Sequence, residues 1–143
     1  MLVHTAKTQK PAEAQKDQKT AEAVNELSKQ VIGCGIRVHK ALGPGFVEKV
    51  YAKALAHELG KQGIDFAREQ VVRVAYDGLL VGEHRLDFLV DDEIVLEVKA
   101  VYGINSFHLA QTLSYLKVTS KRLGLIMNFS RARLEIKRVA NGL

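Results

Sequence analysis

The sequence is poor in cysteine, in long apolar runs and in any strong bias of charge. Cys34 is the only cysteine in 143 residues, which excludes an intrachain disulfide and a cysteine-built zinc site. Its context, Ile32-Gly33-Cys34-Gly35, suits a small buried side chain, and a reducing cytoplasm is the expected location. No apolar run approaches membrane-spanning length, and the first residues hold no apolar core of signal-peptide size, so no membrane association is expected. The formal net charge is only +5, compatible with nucleic acid without demanding it. No internal repeat appears.

What is present is an ordinary globular composition, 47% hydrophobic and 26% charged, at a length that suits one domain with a real core. Residues 1–20 are rich in Lys, Gln, Ala and Thr with no apolar period. They read as a disordered leader to a domain spanning 21–143. A helix is expected to begin at Thr20, with Val24, Leu27, Val31 and Ile32 at helical spacing. Gly33-Cys34-Gly35 is expected to loosen it, and Gly43-Pro44-Gly45 to stop it. A second helix should run from about Phe46 to Lys61. Tyr51, Ala52, Leu55 and Leu59 follow Glu48 on one helical face, so Glu48 opens an otherwise apolar stripe. Such an acid either serves the first turn of its helix, where the macrodipole favours it, or is aimed inward at a site.

Val71 to Tyr76 reads as a strand, and Asp77-Gly78 as a hairpin turn into the next. That strand ends in His84-Arg85-Leu86-Asp87-Phe88-Leu89-Val90. An acidic turn at Asp91-Asp92-Glu93 then leads into Ile94-Val95-Leu96-Glu97-Val98-Lys99-Ala100. Glu97 and Lys99, two apart, share a strand face. Asp87 and Glu97 lie equally far from Asp92, so the hairpin brings them close. Two acids and a lysine among residues that want burial are costly unless paired or bound to a metal. Mg²⁺ takes few carboxylates and keeps several waters, which suits this set. The same residues also fit a solvated strand face with Asp87 as an unrelated surface acid.

Asn105 is a good N-cap for a helix over 106–119, where His108, Gln111 and Tyr115 share a face beside the apolar Leu109, Leu113 and Leu116. That polar stripe is equally a half-exposed helix face. Leu123 to Asn128 reads as a buried strand and Leu134 to Val139 as a last, basic one. A helix that returns the chain to a sheet after three antiparallel strands gives an α/β sandwich with a mixed sheet.

A helix-borne Glu48, a strand Asp87, Glu97-Val98-Lys99 and Gln111-Thr112-Leu113-Ser114-Tyr115, in this order, resemble the PD-(D/E)XK nuclease superfamily and its RecB-like Gln-x-x-x-Tyr branch. Gly45-Phe46-Val47-Glu48-Lys49-Val50-Tyr51 resembles the signature of the small bacterial GxxExxY proteins. Val38 to Gly45, Gly124 to Phe129 and Lys137-Arg138 look like that family too, so the likeness covers roughly Glu26 to Arg138. Leu86 stands where the superfamily name has proline, a position that carries no chemistry.

The resemblance implies a restriction-endonuclease-like sandwich, with a mixed central sheet flanked by helices in the order α-βββ-α-β-β. It implies a Mg²⁺-dependent phosphodiester hydrolase acting on DNA, with Mn²⁺ as substitute. Asp87 and Glu97 would hold the metal, with Glu48 reaching it directly or through water. Lys99 would orient the attacking water, and Gln111 and Tyr115 would position Lys99, the water or the DNA backbone. Arg85, Lys137 and Arg138 are the basic candidates for phosphates. Nothing resembles a module that reads sequence, so specificity would come from a partner or from a homodimer. The rival expectations are an inactive nuclease-fold module that binds nucleic acid or a protein partner, and a purely structural interaction protein.

Overall fold

Thr20 turns its hydroxyl onto the backbone N–H of Ala23 at 3.1 Å and so caps α1, Ala21–Leu42. In this computed structural model, the residues described are 17–143, together with the backbone of Val3–His4 (β1) and Lys7–Thr8 (β2). The rest of the expected disordered leader lies outside the described residues. Lys19 already belongs to the folded body. Its N–H donates to Glu93 at 2.9 Å, its carbonyl accepts from Arg122 at 2.6 Å, and its ammonium pairs with Asp91 at 3.4 Å.

Helix α1 runs unbroken through Gly33-Cys34-Gly35, contrary to the loosening expected there. The reason is packing. A Cβ on Gly35 would lie 2.6 Å from Met127 Sδ, so the bare backbone lets α1 approach the sheet closely. Helix α2 spans Glu48–Lys61 and buries Tyr51, Ala52, Leu55 and Leu59 as their spacing predicts. It starts two residues later than expected. Val47, its N-cap, is extended, and Gly43 and Gly45 hold positive φ of 67° and 117° in the connection. Tyr51 clasps that connection: its hydroxyl donates to the Gly43 carbonyl at 2.6 Å and accepts from the Phe46 N–H at 3.1 Å.

The sheet follows as β3 (Phe66–Tyr76), β4 (Leu79–Val90), β5 (Ile94–Lys99), β6 (Leu123–Asn128) and β7 (Glu135–Ala140), neighbours in that order, with β1 and β2 on the outer side of β3. All pairs are antiparallel except β5 with β6. The connection between these two is α3, Ser106–Thr119, capped by Asn105. Helices α1 and α2 cover one face, against Phe88, Val90, Leu96, Val98, Leu125 and Met127. Helix α3 covers the other with Tyr115 and Leu116, against Val72, Leu86, Leu89 and Val95. It too sits close, since a Cβ on Gly124 would meet Thr112 Cγ2 at 2.6 Å. This is the mixed, helix-flanked α/β sandwich expected. Among the described residues no helix is long and apolar enough to cross a membrane.

One irregularity positions the site. Strict alternation puts Leu86, Phe88 and Val90 on one face. Instead Leu86 and Leu89 pack beneath α3, while Phe88 and Val90 pack towards α1 and α2. The β3–β4 ladder is interrupted between Arg68 and Gln70 on one strand and between Leu86 and Phe88 on the other. There Glu69 takes a left-handed φ of 54°. The strands thus change phase at Asp87.

Candidate active site

Asp87 and Glu97 lie opposite each other where the β4–β5 ladder gives out beyond the Phe88–Leu96 pair. Side chains take over the hydrogen bonding. The Asp87 N–H donates to Glu97 Oε2 at 3.0 Å, and the Val98 N–H donates to Asp87 Oδ2 at 2.8 Å. Each carboxylate therefore spends one oxygen on a backbone N–H. Glu97 is 2% exposed, and Asp87 is half-buried. Burial, and then the charge of Glu97, push the Asp87 carboxyl up to about 7; the Val98 N–H and Lys99 pull the other way.

Glu48, the first residue of α2, reaches the end of β5, where Oε2 accepts from the Ala100 N–H at 3.1 Å. The acid that opens the apolar stripe thus bonds the exit of β5 while its side chain stays exposed. Lys99 is half-buried and follows Glu97 on the α3 side of the sheet, the side that Val95 also faces. Tyr115 is buried beneath the acids. Burial, then Glu97 and Asp87, push its phenol up to about 12. Gln111 stands one helical turn before it, half-buried on the same stripe. His108, which shares that stripe by spacing, serves the helix end: its Nδ1 accepts from the Asn105 N–H at 3.1 Å in a capping box.

The basic candidates do not come together. Arg85 is exposed on β4, beyond the phase change. Lys137 lies exposed on β7, on the α3 side with Val139. Arg138 points to the other face, where its guanidinium donates to Asn25 of α1 at 2.7 Å.

Two residues of the site escaped the sequence reading. The His84 ring stacks on Tyr115, with centroids 4.1 Å apart, and its Nε2 lies 3.4 Å from Glu97 Oε1. Regular alternation from Asp87 places His84 on the opposite face, and the phase change reverses that. Asn128 is wholly buried at the end of β6. Its amide accepts from the Val101 N–H at 3.0 Å and donates to the Val101 carbonyl at 2.9 Å and to Glu135 at 3.0 Å. It locks the loop that leaves Lys99. A lone amide ending an apolar run was the available signal.

Among the described residues, no three His, Cys, Asp or Glu side chains converge closely enough to hold an ion as they stand. The acidic focus is the Asp87–Glu97 pair, with Glu48 held at its margin by Ala100. No curated protein and no solved structure matches this chain. A sequence profile of the PD-(D/E)XK nuclease superfamily does, over residues 25–139, a span that takes in α2, the hairpin, α3 and both last strands. By that match and this architecture, the chain belongs to the PD-(D/E)XK nuclease superfamily.

Proposed function

We propose that the protein is a Mg²⁺-dependent nuclease that hydrolyses phosphodiester bonds in DNA, with Mn²⁺ able to substitute. The observation that carries this is the pairing of Asp87 and Glu97 across the opened ladder, where Glu97 accepts from the Asp87 N–H at 3.0 Å and Asp87 accepts from the Val98 N–H at 2.8 Å. It turns two carboxylates into one anionic notch.

The donors fit a hard divalent cation. They are oxygen atoms only, and the Asp87 carboxyl, raised first by burial and then by the charge of Glu97, is one whose charged form a cation favours. Asp87 and Glu97 would be the residues that hold it, with His84 Nε2 3.4 Å from Glu97 Oε1 beside them. Such an ion, when bound, acidifies a coordinated water and offsets charge on the phosphate. The Lys99 ammonium then orients the attacking water or stabilises charge developing on the phosphoryl oxygens. Tyr115 keeps its proton at neutral pH, so its role is to donate a hydrogen bond rather than to act as a base. Gln111, one turn away, complements it in positioning Lys99, the water or the DNA backbone. Glu48 steadies the end of β5 through Ala100, and it is the third carboxylate within reach of the site.

The test compares cleavage of DNA in Mg²⁺ and Mn²⁺ by the wild type and by Asp87→Ala and Glu97→Ala, with circular dichroism to verify folding. Loss of cleavage in both folded variants is expected. Undiminished cleavage by folded Asp87→Ala removes the reading.

A further inference from the structure

Three aromatic side chains stand in water on chain segments that adjoin this site. The chain has five Phe and four Tyr, and it has no Trp. Phe66, Phe88, Phe129, Tyr51 and Tyr115 are buried or half-buried. Of the other four, Phe46 is 48% exposed, Tyr102 96% and Phe107 66%, while Tyr76, 68% exposed, stands apart at the Asp77-Gly78 end of the β3–β4 hairpin. Phe46 precedes Glu48 by two residues, Tyr102 follows Lys99 by three, and Phe107 lies in the first turn of α3. These are the three chain segments that border the acids. Single exposed apolar residues are commonplace, but three exposed rings on segments that all adjoin one polar site are less so.

Tyr102 is also held in place. Asn128 bonds both backbone groups of its predecessor Val101, Arg131 donates to the Tyr102 carbonyl at 3.3 Å, and Glu135 accepts from the Ile104 N–H at 3.1 Å. The loop is therefore pinned from below while the ring projects. The Arg131 guanidinium lies 6.0 Å from the Tyr102 ring centroid, and Lys99 is near in the chain, so cations accompany the rings.

We infer that Tyr102 and Phe107 form a stacking platform for unpaired bases, and that the substrate taken at this site is single-stranded DNA. In a duplex the base faces are covered by their neighbours, so a projecting ring finds nothing to stack on. An unpaired strand offers both base faces to rings and its phosphates to Arg131 and Lys99. This assignment rests on the nuclease reading for what happens after binding, but the binding itself is independent of cleavage.

The experiment measures binding in EDTA, where no metal-dependent cleavage runs. Labelled dT20 and a 20-base-pair duplex are titrated with the full chain as wild type, Tyr102→Ala and Phe107→Ala. Tight binding of dT20 over duplex is expected, with each variant losing about tenfold on dT20 and little on duplex. In Tyr102→Trp, the only tryptophan then reports directly: dT20 quenches its emission and the duplex does not. Equal affinity for both DNAs, unchanged binding by the alanine variants, or an unquenched Trp overturns the platform. So does an rU20 strand bound tenfold more tightly than dT20, or a dimer that Phe107→Ala dissolves and dT20 leaves intact. A platform that binds and quenches without any cleavage in Mg²⁺ sinks the nuclease reading alone. Cleavage of duplex as fast as single strand, unaltered in Tyr102→Ala, sinks the platform alone.

Discussion

Asp87 and Glu97 hold each other's strand: one carboxylate takes the other residue's own N–H at 3.0 Å, and the second takes the next N–H along, of Val98, at 2.8 Å. Two anions are thereby fixed side by side in a place from which water is largely removed.

The Asp87 carboxyl contributes stability to the metal-free protein that falls as pH rises. The folded state raises the Asp87 carboxyl to about 7, so folding binds its proton more tightly than the unfolded chain does. Its contribution is complete below the unfolded value of about 3.8, fades as pH climbs and is lost above about 7. Asp87→Asn keeps the shape and removes the charge. In EDTA, denaturant melts should show the variant equal to wild type near pH 4 and more stable by roughly 1 kcal/mol or more near pH 8. Mn²⁺ should stabilise the wild type most at the higher pH, because its ligands must shed their protons, and should leave Asp87→Asn little changed.

Gly124→Ala should be costly and Gly35→Ala cheap, although both added carbons meet an atom at 2.6 Å. On Gly124 the obstacle is Thr112, β-branched and buried in α3, which cannot swing aside. On Gly35 it is the flexible end of Met127, and alanine brings about 1 kcal/mol of helix propensity in return. The expected loss for Gly124→Ala is about 1–3 kcal/mol. Adding Thr112→Ala should recover part of it in a double-mutant cycle, and strict additivity would count against the contact.

Asn128→Ala should remove about 2–4 kcal/mol of stability, since it strands the buried Val101 N–H and carbonyl together with the hydrogen bond to Glu135. Nuclease activity should fall further than the lost folded fraction explains, because the loop leaving Lys99 loses its anchor. Amide exchange at Val101 and Ile104 reads the same effect directly. Unchanged protection there would show that the loop is fixed by something else.

The elements set by local chemistry were plain in the sequence. Thr20 and Asn105 cap their helices, Asp77-Gly78 turns the hairpin with φ of 51° and 77°, and the symmetry about Asp92 brought Asp87 to Glu97. The stripe that Glu48 opens is buried as its spacing predicts, while Glu48 itself stays exposed and bonds the Ala100 N–H. What stayed hidden depends on partners distant in sequence. Gly35 looked like a helix-weakening residue because nothing nearby in sequence announces Met127. His84 was missed because Glu69 enters the left-handed region without being glycine, so alternation seemed to continue through Asp87. The face of Arg138 was set by α1, through Asn25, rather than by any phosphate.

The close approach of both helix layers to β6 has a mechanical meaning. Backbone rests almost on side chain at Gly35 from one face and at Gly124 from the other. The rigid contact with Thr112 leaves the strand little room on the α3 side, and β5 is its parallel neighbour. Lys99 and Glu97 thus ride on a rigid bed.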